Sequence, residues 1–254
     1  MQTYKAVSFG HSHLTSLMRG YKSIEESIYD RLRVDFISLF EQKFNPNLHW
    51  DNGVAYNENI LKEICRAAEK IEASHIYASL LGSEHYIWSI TGSDRKFDVI
   101  LPFAPDLPFD STANIIPYTT ILQHFEDSIG PALRILDHIR PFVKQKIHQI
   151  LPPPPVANVN KIINAPAEPL QTYIKKFGVP PALLRLKMWL LWIEVAKNIA
   201  NENGIEIVYP PMECVDDDGM LKSGFEHDEV HAGTEYGALV WQQINRSLIK
   251  DNEI

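Results

Sequence analysis

Short runs rich in β-branched and aromatic residues alternate along this 254-residue chain with longer stretches whose apolar positions recur every three to four residues. The runs at 4–9, 34–40, 76–81, 146–151 and 205–209 predict five strands, the last two closed by prolines 152–155 and 210–211. Helical period is expected over 14–31, 57–72, 131–140, 181–203 and 234–249. The fourth of these opens on Pro181 and closes on Asn203-Gly204, residues that suit a helix start and a helix stop. Strands alternating with helices imply βαβ units with right-handed crossovers. The expected fold class is therefore α/β: a single three-layer α/β/α sandwich on a mostly parallel five-stranded sheet, one domain over 1–254.

Two stretches interrupt that pattern. Residues 86–128 carry short apolar pieces broken by Pro102, Pro105, Pro108 and Pro117, and are expected to form an irregular insertion over one edge of the sheet. Residues 152–181 hold eight prolines. So long an irregular segment is uncommon inside a compact domain; it is either a lid or binding loop, or a solvated crossover with no part in chemistry.

Composition narrows the function. A 45% hydrophobic and 22% charged chain can bury a sizeable core, which keeps the globular reading. With 24 basic against 32 acidic residues the net charge is -8, and no Lys/Arg cluster relieves it, so nucleic acid is not an expected partner. Cys65 and Cys214 stand far apart and form no CxxC, which argues against a disulfide scaffold or a thiolate zinc site and suits a reducing compartment. The most apolar window, 188–193, is far shorter than the roughly 20 residues of a membrane span. No signal-type stretch is visible at residue 1 onward, so a cytoplasmic protein without a membrane partner is expected.

In an open parallel sheet, ligands gather at the carboxyl ends of the strands. The loops after strands one, three and five read Gly10-His11-Ser12-His13, Gly82-Ser83-Glu84-His85 and Glu226-His227-Asp228-Glu229-Val230-His231, and they hold five of the ten histidines. Ser12 sits behind a glycine on a strand-to-helix turn, a placement that lifts a hydroxyl above the sheet edge and suits a nucleophile, although serine also commonly caps a helix. Asp228-x-x-His231 puts a carboxylate three residues before an imidazole, close enough to orient it as a general base.

The combination resembles the SGNH (GDSL-type) hydrolase family. VSFGHSH at 7–13 is similar to its first block, with Ser12 in the nucleophile position and His11 where an aspartate usually stands, and DEVHAGTEYG at 228–237 is similar to its last block. Asp51-Asn52-Gly53 matches the second block more loosely, and LLGSEHY at 80–86 falls where the third block belongs. The resemblance implies a flavodoxin-like sheet and esterase or acyl-transfer chemistry on a small or carbohydrate-linked ester, run by side chains with no cofactor and no metal. It makes Ser12, His231 and Asp228 the triad. Gly53, Asn52, Gly82, Glu84, His11 and His85 become the expected oxyanion and binding residues.

One position departs from the family. Where the third block has an oxyanion-donating asparagine, this chain has Glu84, and an ionised carboxylate accepts hydrogen bonds but cannot donate them. Glu84 could be protonated or turned away, Asn52 could supply the missing amide, or the chain could be a catalytically silent binding protein. The aromatic neighbours His85, Tyr86 and Trp88 would suit carbohydrate recognition in that last case. A further alternative gathers His11, His13, Glu84, His85, Asp228 and His231 as ligands of a metallohydrolase.

Overall fold

Strand β1 (Tyr4–Gly10) is buried without interruption from Ala6 to Gly10, the signature of a central strand covered on both faces. In the computed structural model, which describes residues 3–44, 49–51, 54–56, 58–82, 92–164, 168 and 170–250, it lies inside a five-stranded sheet. The other strands are β2 (Leu32–Ser38), β3 (His75–Ser79), β4 (Lys146–Ile150) and β5 (Glu206–Val208). Their order is β2-β1-β3-β4-β5, and every pairing is parallel. This is the flavodoxin-like winding: the chain steps from β1 out to β2 and returns across β1 to β3, leaving a switch-point crevice at the carboxyl ends of β1 and β3.

Alternate residues of each strand serve opposite layers. Val7, Phe9, Ile76, Ala78 and Ile147 join one core with α2 (Glu58–Ile71), α3 (Tyr118–Ile139) and α6 (Ala182–Glu202). Ala6, Tyr77 and Ile150 face the other way, into a second core with α1 (Leu14–Ile28) and α7 (Thr234–Lys250). In that second core the Trp241 indole N–H donates to the Leu17 carbonyl at 2.9 Å, tying the last helix to the first. The three-layer sandwich expected from the sequence is present.

Two expectations need correction. The helix expected over 131–140 begins at Tyr118, with Pro117 as its extended cap residue, and Pro131 lies in its interior. A continuous buried stripe of Ile121, Phe125, Ile129, Leu133 and Leu136 runs past the proline. Burial of that stripe outweighs the roughly 3 kcal/mol that an interior proline costs. Residues 118–128 therefore belong to a helix and not to an irregular insertion. Within 152–181, the segments α4 (Val159–Ile163) and α5 (Leu170–Phe177) are helical, and prolines 152–155 are buried against the body of the domain.

Between β3 and α3, Phe97–Asp98 pairs with Asn114–Ile115 as a short parallel ribbon. A buried ion pair pins it: Lys187 Nζ of α6 lies 2.8 and 2.9 Å from the two Asp98 oxygens, which also accept the Val99 and Asp110 N–H groups. Every carboxylate lone pair is thus directed at a donor, as a buried charge requires.

Candidate active site

The turn after β1 continues directly into α1. His11 N–H donates to the Ser79 carbonyl on β3, while the carbonyls of His11 and Ser12 accept from Leu14 and Thr15. Leu14 and Leu17 bury themselves in the second core and fix the helix against the sheet. The residue at the helix start is His13, and no side chain caps it. The Ser12 hydroxyl is therefore not consumed in capping, and it stands half-exposed at the carboxyl edge of the sheet.

The second half of the site is the loop before α7. His227 N–H donates to the His231 carbonyl at 2.8 Å, and the Asp228 carboxylate accepts the N–H groups of Val230 at 2.9 Å and His231 at 2.7 Å. The same carboxylate reaches the His231 ring, with Nδ1 3.0 and 2.9 Å from its two oxygens. Partial burial alone would raise the Asp228 pKa, but hydrogen bonds from the His231 ring and the two amides, with the His231 charge, bring it down to about 2. An ionised carboxylate only accepts, so the His231 ring directs an Nδ1–H at it and turns Nε2 away.

The proline-rich segment supports this loop from behind. Lys161 Nζ of α4 donates to the His227 carbonyl at 3.2 Å, and Val230 packs on Ile162 and Ile174 of α4 and α5. The two short helices act as a buttress for the residues that carry His231.

Ser12, Asp228 and His231 line one open cavity of about 200 Å³, together with Thr15, Ser16 and Arg19 of α1 and His227 of the loop. Among the described residues no hydrogen bond joins the Ser12 hydroxyl to His231; contacts of this kind commonly tighten only when substrate is bound. His13, not expected beside His231 in the triad, also belongs to these surroundings. It is buried, and its ring lies 4.8 Å from that of His231, inclined at 50°. Its position beside Ser12 in the GHSH run was the available signal.

Gly82 stands close against the His13 ring. Its φ of +143° suits glycine, and a Cβ there would lie 2.5 Å from His13 Cδ2 and 3.2 Å from Pro152 Cβ. His11 is exposed at the rim, its ring 5.9 Å from the exposed Phe40. Asn52, Gly53, Glu84 and His85, expected to complete the site, lie outside the described residues. Among the described residues no group of three or more His, Cys, Asp or Glu side chains is placed to hold a metal ion.

No family model and no curated relative matches the chain. Solved structures do match it over nearly its whole length. The periplasmic domain of a lipopolysaccharide acetyltransferase from Salmonella ser. Paratyphi A superposes with a TM-score of 0.55 at 15% identity, covering 98% of this chain and 84% of that one. A GDSL-like lipase from Bacteroides thetaiotaomicron gives 0.43 at 12% identity, over 96% and 88% of the two chains. A catalytic mutant of an acetylxylan esterase from Geobacillus stearothermophilus gives 0.40 at 10%, over 98% and 95%. The chain therefore shares its fold, an α/β/α sandwich on a parallel sheet in the order β2-β1-β3-β4-β5, with the acetyltransferase domain.

Proposed function

We propose that this chain is a serine-dependent carboxylic-ester hydrolase that removes an acyl group from a small or carbohydrate-linked alcohol. The observation that carries the reading is the shared cavity of Ser12 and His231, with the His231 ring held by an ionised Asp228 at the carboxyl edge of a parallel sheet.

The chemistry runs through these three side chains. Ser12 Oγ attacks the ester carbonyl carbon while its proton passes to His231 Nε2, and Asp228 stabilises the imidazolium through Nδ1–H. The Ser12 N–H, which donates to no backbone carbonyl among the described residues, is the first oxyanion donor. The sequence resemblance adds the Gly53 N–H, with Glu84 in the place of the usual third donor and Asn52 as one alternative source of that amide. As the tetrahedral species collapses, the C–O bond to the alcohol breaks and His231 returns its proton to that oxygen. Water then adds to the acyl-Ser12 ester with His231 again as base, releasing the carboxylic acid and restoring Ser12.

A second acceptor deserves the same test, because the fold-mate with a TM-score of 0.55 is a lipopolysaccharide acetyltransferase. A sugar hydroxyl in place of water would turn the same acyl-enzyme to transfer. Treatment with a fluorophosphonate probe and peptide mass spectrometry decides the first half of the reaction. Labelling at Ser12, lost in His231→Ala, is expected. An unlabelled Ser12 would leave the fold with a binding role. Adding a free sugar to an enzyme turning over 4-nitrophenyl acetate separates the two acceptors, since only transfer yields an acetylated sugar.

A further inference from the structure

The cavity at Ser12 does not stop at the nucleophile. Thr15, Ser16 and Arg19, spaced at i, i+1 and i+4 on α1, line it together with Ser12 of the turn before the helix. At 1.5 Å of rise per residue, Arg19 stands about 7.5 Å along α1 from its first residue, Leu14. It is exposed, and among the described residues it makes no ion pair and no side-chain hydrogen bond. The cavity's acid, Asp228, is occupied by the His231 ring and two amides, so it does not draw the guanidinium inward. The chain as a whole carries a net charge of -8, a field that repels anions unless a fixed local cation holds them.

We infer that Arg19 is a specificity residue that selects an ester whose alcohol portion carries an anionic group, a carboxylate or a phosphate, several bonds from the acyl carbonyl. The inference rests on the serine-hydrolase reading for the position of the ester, and it deepens that reading by naming the substrate class. A planar guanidinium offers paired N–H donors that match the two oxygens of either anion. The hydroxyls of Thr15 and Thr234 in the same cavity suit the neutral, oxygen-rich part of such a substrate, as in an acidic sugar.

The test compares O-acetylglucose with O-acetylglucuronic acid and with O-acetylglucose 6-phosphate. For the wild type, kcat/KM should favour an acidic ester about tenfold, as hydrogen bonds to a charged group allow. The ratio should fall toward unity in Arg19→Ala, persist in part in Arg19→Lys, and invert in Arg19→Glu. A ratio isolates charge selection from any general loss of activity, and the preferred acidic sugar identifies which anion is read. Calorimetric binding of the same three sugars to the Ser12→Ala protein needs no turnover. It therefore still decides on Arg19 if Ser12 proves unreactive and the hydrolase reading fails. Equal or undetectable binding of acidic and neutral sugars, or a preference that survives in Arg19→Ala, overturns the inference.

Discussion

Gly20 of the first helix and Gly237 of the last touch where α1 and α7 cross: a Cβ on Gly20 would lie 2.6 Å from the Gly237 Cα. The reverse is equally tight, since a Cβ on Gly237 would lie 2.6 Å from the Ser16 carbonyl carbon and 3.1 Å from the Leu17 Cα. Only two residues without side chains allow this approach. Its consequence is felt at the helix starts. Ser12 leads into α1 and His231 precedes α7, so the two helices that the glycines bring together carry residues lining one cavity.

Gly237→Ala should therefore act on both stability and chemistry. Overpacking of this kind costs about 1–3 kcal/mol, read as a lower urea midpoint. Pushing α7 outward should also carry His231 away from Ser12. We expect the rate of fluorophosphonate labelling at Ser12 to fall even at temperatures where the variant remains folded. Unchanged labelling would show that the loop before α7 holds His231 independently of the crossing.

Asp228→Asn should separate orientation from fold. Its remaining oxygen can still accept the Val230 and His231 amides, but its NH₂ group would face Nδ1 and favour the wrong ring tautomer. Turnover is expected to fall by about 10⁴-fold with the domain intact. The variant should also change acid stability. With a folded pKa near 2, below the ordinary aspartate value, the Asp228 contribution is complete above about pH 4 and is lost as the pH falls toward 2. For a carboxylate about one-third exposed this amounts to about 1 kcal/mol after screening. Urea midpoints at pH 7 and pH 2.5 should converge in Asp228→Asn relative to the wild type.

The central strands β1 and β3 were legible in the sequence because they are covered on both faces and carry short apolar stretches. The Asp228–His231 pair was legible because three residues of spacing confine both groups to one loop. Other features depend on distant neighbours. Pro131 reads locally as a helix start, and only the buried stripe from Ile121 to Leu136 reveals that the helix passes through it. The helix α4 hides behind prolines 152–155, although Asn158 announces it by accepting the Asn160 N–H with its side chain. That His13 turns inward against His231 while His11 turns outward toward Phe40 follows from the geometry of one turn, which composition does not encode.

The buried Lys187–Asp98 pair supports a prediction about the ribbon it holds. Removing one partner leaves an uncompensated charge among buried apolar side chains, and costs about 3–5 kcal/mol. Lys187→Met should therefore lower the urea midpoint strongly, and so should Asp98→Asn, which strands the Lys187 charge and keeps an acceptor oxygen for only one of the Val99 and Asp110 amides. Combining the two should recover part of the loss, because the stranded charge disappears. Purely additive losses in the double variant would mean that the two side chains act separately.

The buttress behind the 226–231 loop makes the last prediction. Ile162 is almost fully buried, with Ile174, Val179 and Val230 around it, in a small cluster separate from the two main cores. Its removal should loosen α4, α5 and the 226–231 loop without melting the sheet. Ile162→Ala is expected to cost about 2–4 kcal/mol locally. Hydrogen exchange should then rise at the Val230 and His231 amides while those of β1 and β3 keep their protection. Since the Asp228 carboxylate depends on the same two amides, the labelling rate at Ser12 should drop with them. Faster exchange across β1 as well would show that the small cluster is part of the global fold and not a local support.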